Sequence, residues 1–319
     1  MGLKKMLKSN KLIYNAYLRL KDNRRTKDRY RFYNRSNQKN KLCIVLAGYK
    51  DYLWEDVFER LLTFLDTDID VCIISSGLYS EKLSSICEAN DWSYLSTQKN
   101  KLTLAQNIAI SLHPSAEWIY KLDEDIFITK GYFRGLMDTY ENAMKEGMYN
   151  IGFVGALLSI HGYGSMAILE KLGKVESTRE IFGDFKYGEM TNNPTYTNPN
   201  FARYMWGDGL DEMKDIDSVA AEFKEKNYIY TIAPFRYAIG AILMRREIWE
   251  DMGKFPVVSG WNMGVDEVHL NQYCFMNSKV IIIAQNTLVG HFAYYNQNKS
   301  MRDYYCNHRE VFRINGNES

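Results

Sequence analysis

The chain has 319 residues, is 46% hydrophobic and 14% aromatic, and carries a formal net charge of +1. That is ample for a large core, so one large domain, alone or with an appendage, is expected. No apolar run nears the ~18 residues of a membrane-spanning helix, and the basic start is not followed by the apolar stretch of a signal peptide.

The near-neutral total hides an asymmetry. Residues 1–41 hold 14 Lys or Arg against Asp22 and Asp28, a local charge of +12, and the rest of the chain sums to −11. Leu3, Met6, Leu7, Leu12, Ile13, Tyr14, Tyr17, Leu18 and Leu20 form a rough helical stripe among the lysines. Residues 1–40 therefore read as a basic arm, and residues 1–35 suit an anionic membrane surface. Packing on the acidic body of the protein is the other reading. No nucleic-acid motif accompanies the charge, so no nucleic-acid partner is expected. The five cysteines are scattered without C-x-x-C spacing. Reduced thiols in a cytoplasmic protein fit this better than disulfides or zinc, and the basic arm would set that protein on the inner face of the plasma membrane.

From Lys41 strands and helices alternate. Leu42–Ala47 is an apolar strand ending at Gly48. Trp54–Leu65 has helical spacing, Val71–Ile74 is a strand closed by Ser75-Ser76-Gly77, and Ser80–Asn90 is a helix capped by Ser80. Trp92–Leu95 is a short strand, and Thr103–Leu112 is a helix. A further strand then leads into Asp123-Glu124-Asp125. Such β-α repeats imply a mainly parallel sheet flanked by helices, an α/β fold. Ligands of these sheets bind beyond the carboxyl ends of the strands, where Gly48, Ser75, Ser76 and Asp123–Asp125 all fall. Tyr132–Glu146 (helix) and Ile151–Leu158 (strand) follow.

Residues 160–230 read as irregular. They contain His161-Gly162-Tyr163-Gly164, an Asn/Pro-rich run, and Trp206-Gly207-Asp208-Gly209. A loop this long is usually functional, so Trp206 and Asp208 are candidate acceptor contacts. Tyr237–Leu243 returns to strand and Arg245–Met252 to helix. Gly260-Trp261-Asn262-Met263-Gly264-Val265-Asp266-Glu267 then opens another helix, with Trp261 able to stack on a sugar ring or to pack. Val280–Ala284 is a strand, Val289-Gly290-His291-Phe292 follows, and residues 296–319 read as a polar tail.

Three adjacent acids between two apolar runs call for a cation. Alternate residues of an extended chain face one way, so Asp123 and Asp125 can share a site while Glu124 faces away. Two such carboxylates suit Mg²⁺ or Mn²⁺ completed by substrate phosphates.

The D-x-D at a strand end, the Gly-Ala-x-x-x-Arg-Arg run at 240–246 before Gly253-Lys254-Phe255, the acidic pair Asp266-Glu267 and the late His291 stand in the order of a GT-A glycosyltransferase. The resemblance is to the inverting, metal-dependent family 2-type group and covers roughly residues 41–295. It implies a GT-A (Rossmann-like) domain over 41–319, with a nucleotide-binding half (41–130) and an acceptor half (131–295). It implies a sugar moved from a nucleotide-diphosphate sugar to a glycan or lipid-linked hydroxyl in surface polysaccharide biosynthesis. Asp125, with Asp123 and His291, would hold the metal. Gly48, Ser75, Ser76 and Asp123 would hold the donor. Glu267 matches the position of the catalytic base, and Asp266 is the alternative because the usual Glu-Asp order is reversed here. Ser75-Ser76 stand where many relatives carry an acid that reads the base, so the nucleotide is open. A sugar nucleotidyltransferase and a non-catalytic sugar-binding module on the same fold are the competing readings.

Overall fold

The computed structural model describes residues 26–185, 193–224, 229–260 and 264–314. The basic arm up to residue 25 and Trp261 lie outside the described residues. Ten strands form one mixed sheet in the order β1-β4-β3-β2-β5-β9-β7-β10-β6, with β8 paired to β10. They are β1 (Tyr30–Tyr33), β2 (Lys41–Leu46), β3 (Ile69–Ser76), β4 (Ser93–Thr97), β5 (Trp118–Asp123), β6 (Ile126–Ile128), β7 (Ile151–Leu158), β8 (Tyr230–Ile232), β9 (Ala241–Arg245) and β10 (Val280–His291). β2 to β5 run parallel to one another and β7 runs parallel to β10, while β9 lies antiparallel between β5 and β7. The expected α/β architecture with a mainly parallel sheet flanked by helices is present. The continuous apolar runs of β2, β3 and β7 are buried along nearly their whole lengths, as strands covered on both faces must be.

This topology makes the site. Leu46 of β2 is in register with Asp123 of β5, and Leu122 of β5 with Ala241 of β9. The carboxyl ends of β2, β3, β5, β7 and β10 and the amino end of β9 therefore meet at one edge of the sheet. Gly48, Ser76, Asp123, Ser159, Gly240 and His291 all lie there.

Helices α1 (Trp54–Phe64), α2 (Glu81–Ala89), α3 (Leu102–Leu112) and α4 (Tyr132–Lys145) fall where the periodicity places them. The region 160–230 does not stay irregular. It forms α5 (Gly162–Leu172), α6 (Val175–Phe182), α7 (Pro194–Thr197), α8 (Pro199–Tyr204) and α9 (Ile216–Lys224). Asn193 and Asn198 cap α7 and α8, each accepting from the backbone two residues on, and a proline opens each helix. That is the usual chemistry of a helix start. Helices α10 (Arg246–Asp251) and α11 (Val265–Met276) follow. The strand expected over Tyr237–Leu243 begins only at Ala241, and β10 runs unbroken, apart from a bulge, through to His291.

Both ends of the described chain belong to the body. β1 pairs antiparallel with β4, so Tyr30–Tyr33, expected in the arm, extend the sheet instead. The Asp70 carboxylate accepts from Ser36 Oγ at 2.5 Å and from the Asn37 and Lys39 amides at 3.1 Å, which fastens the link that follows β1. Residues 298–307, expected in a polar tail, form α12 (Asn298–Asn307), which buries Met301, Tyr304 and Tyr305; Phe312 beyond it is also buried. Two anchors on α1 hold this segment. Asp56 accepts from the Tyr305 hydroxyl and from Arg309 Nε at 2.8 Å. Arg60, 1% exposed, donates to the carbonyls of Ile128, Phe312 and Arg313 and pairs with Asp217 at 2.9 Å. Arg60→Met leaves these buried acceptors bare. Urea unfolding should show a loss of about 3–5 kcal/mol, the range for breaking a buried ion pair.

Candidate active site

The three acids of the D-x-D turn have three different surroundings. β5 ends at Asp123, whose amide donates to the Gly240 carbonyl at 2.9 Å. Its Oδ1 accepts from Lys121 Nζ at 2.7 Å. Lys121 is 1% exposed and also donates to the Ile239 carbonyl at 3.0 Å, with Asp266 Oδ2 4.0 Å away. Burial disfavours its ammonium, but Asp123 and Asp266 outweigh it and hold the pKa above the ordinary lysine value. Lys121 and Asp123 meet because they are two apart on one strand and so share a face.

Glu124 faces away, as expected, and its carboxylate is spent on structure. It accepts from the Gly48 amide at 2.8 Å, the Tyr49 amide at 3.0 Å and Trp54 Nε1 at 2.7 Å. It thereby fixes the loop from β2 to α1. Gly48 sits there at φ 152, a conformation that suits glycine.

Asp125 turns back to the site. Its carbonyl accepts from the Phe292 amide at 2.9 Å, which ties the turn to the end of β10. Its carboxylate is ion-paired with Lys50 of the β2–α1 loop, and His291 Nε2 lies 3.7 Å from the same oxygen. Burial alone would raise the Asp125 pKa; Lys50 and His291 reverse that and bring it below the usual value. His291 Nδ1 lies 3.0 Å from the Ile160 carbonyl. Nδ1 carries a proton to donate there, and Nε2 is the ring atom that faces Asp125. A partly buried imidazole held through its other nitrogen in this way is a typical metal ligand.

Asp125 and His291 thus come together as a pair of ligand groups. Asp123, expected with them, is turned to Lys121. Among the described residues no group of three His, Cys, Asp or Glu side chains converges as a metal cage. A divalent ion fits here only as an open site completed by oxygen ligands from a substrate, the usual arrangement for Mg²⁺ or Mn²⁺ with phosphates.

Across from this pair, α11 presents Asp266 and Glu267 in its first turn. Asp266 is buried, and its Oδ2 accepts from Gln106 Nε2 at 2.9 Å and faces Lys121. Glu267 is partly open and pairs with Arg236 Nε at 3.0 Å. Burial pushes its pKa up to about 7, with Arg236 pulling down and Asp266 pushing up. The helix is held in place by Asn271, which accepts from the Tyr237 amide at 2.8 Å and donates to the Tyr237 carbonyl at 3.0 Å.

Other expected contacts have different roles. Trp206 is fully buried and cannot meet an acceptor: its indole NH donates to the His291 carbonyl at 2.9 Å. Its ring lies against Gly290, where a Cβ would come within 2.4 Å of Trp206 Cη2. Trp206 therefore supports the strand that carries His291. Asp208 is about half exposed and pairs with Arg203 at 3.1 Å. Ser75 and Ser76 are buried. The Ser75 hydroxyl is bound to Leu78 O and Tyr94 OH, both at 2.8 Å, and that of Ser76 donates to Lys99 O at 3.3 Å, so both hydroxyls are already engaged inside the protein.

The sequence reading missed Lys50, Arg236 and Tyr294. Tyr294 packs edge-on against His291, with ring centroids 4.7 Å apart, and its buried hydroxyl has no hydrogen-bond partner among the described residues. A basic residue two positions past Gly48 was the available sign for Lys50. Arg236 and Tyr294 carry no local pattern.

Lys121→Met should cost about 3–5 kcal/mol in urea unfolding, because the buried Asp266 and the partly exposed Asp123 lose their shared cation. Asp125→Ala, which removes a buried acid whose two partners retain some access to water, should cost less. Equal losses in the two variants would contradict the central place given to Lys121.

No protein-family model matches this chain, and no curated protein matches it in sequence. Among solved structures it is similar to a mannosyltransferase, PcManGT from Pyrobaculum calidifontis in complex with GDP-Man and Mn²⁺. The identity is 15% and the TM-score 0.46, over 90% of this chain and 66% of that one. It is also similar to GalNAc-T7 with UDP, GalNAc and Mn²⁺, at 9% identity and TM-score 0.47, over 82% of this chain and 45% of that one.

Proposed function

We propose that the protein is a metal-dependent glycosyltransferase of GT-A type, moving a sugar from a nucleotide-diphosphate sugar to a hydroxyl of a glycan or lipid-linked acceptor. The observation that carries this is the opposition of two different acidic sites at one sheet edge. Asp125 and His291 Nε2 face each other as a pair of ligand groups, with Lys50 on the acid. Glu267 faces the same edge with its pKa pushed up to about 7. The first suits a diphosphate and its cation, and the second suits proton removal near neutrality.

Asp125 and His291 would hold Mn²⁺ or Mg²⁺. When bound, such an ion neutralises charge developing on the departing diphosphate as a Lewis acid. The backbone at Gly48 lines the donor side of the edge. Glu267, as carboxylate, takes the proton of the acceptor hydroxyl as that oxygen attacks the anomeric carbon. A base tuned close to the working pH combines the correct protonation state with useful basicity. Attack from the face opposite the leaving group inverts the anomeric centre. Asp266 is the weaker candidate for the base, because Gln106 and Lys121 already engage its carboxylate. The contact with an anionic membrane from the cytoplasmic side, expected through residues 1–35, is proposed here for residues 1–25 alone, because Tyr30–Tyr33 belong to the sheet. Shortening the chain to begin at Thr26 should abolish salt-sensitive cosedimentation with anionic vesicles.

Glu267→Gln keeps the shape and removes the basicity. Turnover should fall about 10²–10⁴-fold, the usual worth of a general base, with donor affinity nearly unchanged. Because the active form is the carboxylate, wild-type kcat should rise with pH and level off above about 7. Arg236 favours the carboxylate, so Arg236→Met should move that limb to higher pH. The same raised pKa means that wild-type stability falls as pH climbs from the ordinary carboxylate range to about 7, a slope that Glu267→Gln should lack. Asp125→Asn should instead lose Mn²⁺-dependent nucleotide binding by titration calorimetry. Near-normal transfer by Glu267→Gln would exclude the assigned base.

A further inference from the structure

Each acid around the site has a resident partner. Asp123 and Asp266 share Lys121, Glu267 has Arg236, and Glu124 has three N–H donors. Asp125 has Lys50. Lys50 differs from Lys121 in two ways. Its side chain keeps 20% of its exposure, against 1% for Lys121. It also projects from a loop rather than a central strand. The loop backbone is fixed by the Glu124 bonds to Gly48 and Tyr49, so the lysine can change rotamer without moving its anchor. Its ammonium lies on Asp125 Oδ2, the oxygen that also faces His291 Nε2.

We propose that Lys50 is an internal cation occupying the metal position of the donor-free protein, and that it yields Asp125 to the divalent ion when a donor diphosphate offers it a new anionic partner. This rests on the glycosyltransferase reading above and deepens it. An ammonium and a divalent cation cannot both bind one carboxylate oxygen at close range, since their repulsion in a partly buried site is large. Coordination at Oδ2 therefore requires Lys50 to leave. Without nucleotide its alternative is water, and the exchange is unfavourable. With nucleotide its alternative is a phosphate oxygen of the donor, and lysine binds phosphate well as a point charge. Lys50 becomes a donor-phosphate ligand by the same movement that opens the metal position. Metal and nucleotide then bind with positive coupling, each favouring the other.

The test is Mn²⁺ binding, read from the electron paramagnetic resonance signal of free Mn²⁺, in the folded full-length protein. Wild type, Lys50→Met, Lys50→Gln and the double variant Lys50→Met with Asp125→Asn are compared, first without nucleotide and then with UDP or GDP. Without nucleotide, both single variants should bind Mn²⁺ about ten-fold more tightly than wild type, a coupling of ordinary size, and the double variant should lose the gain. With the nucleotide that binds, wild type should tighten strongly and the Lys50 variants little. Equal Mn²⁺ affinity of wild type and both Lys50 variants without nucleotide, in proteins that bind Mn²⁺ once nucleotide is added, would overturn this inference and leave the function proposed above intact. Failure of every protein to bind Mn²⁺ with either nucleotide would overturn the metal-dependent reading itself, and this inference with it.

Discussion

The site depends on one buried charge. Lys121 lies on a central strand, 1% exposed, within 2.7 Å of Asp123 and 4.0 Å of Asp266. Placing an ammonium there costs several kcal/mol in lost hydration unless acids and carbonyls replace the water. Asp123, Asp266 and the Ile239 carbonyl do so. The consequence is geometric as well as electrostatic. Asp123 ends β5 and Asp266 opens α11, two elements far apart in the chain. The lysine requires both, so it sets the first turn of that helix, and with it Glu267, opposite the D-x-D turn.

The remaining charges divide by how freely they can change partners. The Glu124 carboxylate, fixed by three donors, shapes the first loop and is unavailable for anything else. Lys121 is equally fixed. Arg236 and Lys50 are more open, with 38% and 20% of their side-chain surfaces exposed, and each neutralises an acid for which a chemical task is proposed above. A protein that must hold four acids at one edge before any substrate arrives needs such counter-ions, since like charges in low dielectric repel strongly. Under the proposed function, those beside Asp125 and Glu267 would also have to release them. The exposures fall in that order.

Much of this was legible in the sequence, for identifiable reasons. Leu42–Ala47 and Val71–Ile74 are continuous apolar runs because both faces are covered, and a buried parallel strand has no other pattern. What local pattern could not show were the partners. Trp206-Gly207-Asp208-Gly209 looks like a surface loop until Gly290, remote in sequence, is brought under the indole. The tail looks polar because Arg309 and Tyr305 are amphipathic, and their partner Asp56 lies some 250 residues earlier. The region 160–230 was misread differently. Asn193-Pro194 and Asn198-Pro199 are helix starts as well as turn formers, and the helices they open are too short for periodicity to declare them. Lys121 stands on the same strand face as Asp123 in the sequence, but its central place comes from Asp266, which only the fold brings to it.

The D-x-D pairing itself was inferred from strand alternation, and that argument is only half of the cause. β5 stops at Asp123, so simple alternation does not carry the chain to Asp125. Glu124 turns inward to the β2–α1 loop, and the backbone reverses into β6. The position of Asp125 is then set from the other half of the molecule: its carbonyl receives the Phe292 amide, and Ile126 is in register with His291 on β10. β10 is in turn held at its end by Trp206 and by Ser159, whose hydroxyl accepts the His291 amide at 3.0 Å. The acid and the histidine that would share a cation are therefore neighbours through one antiparallel ladder. The nucleotide-binding half can supply the Asp123-Glu124-Asp125 sequence, but the placement of Asp125 comes from β10. The fragment 41–130 alone would contain the motif without the site.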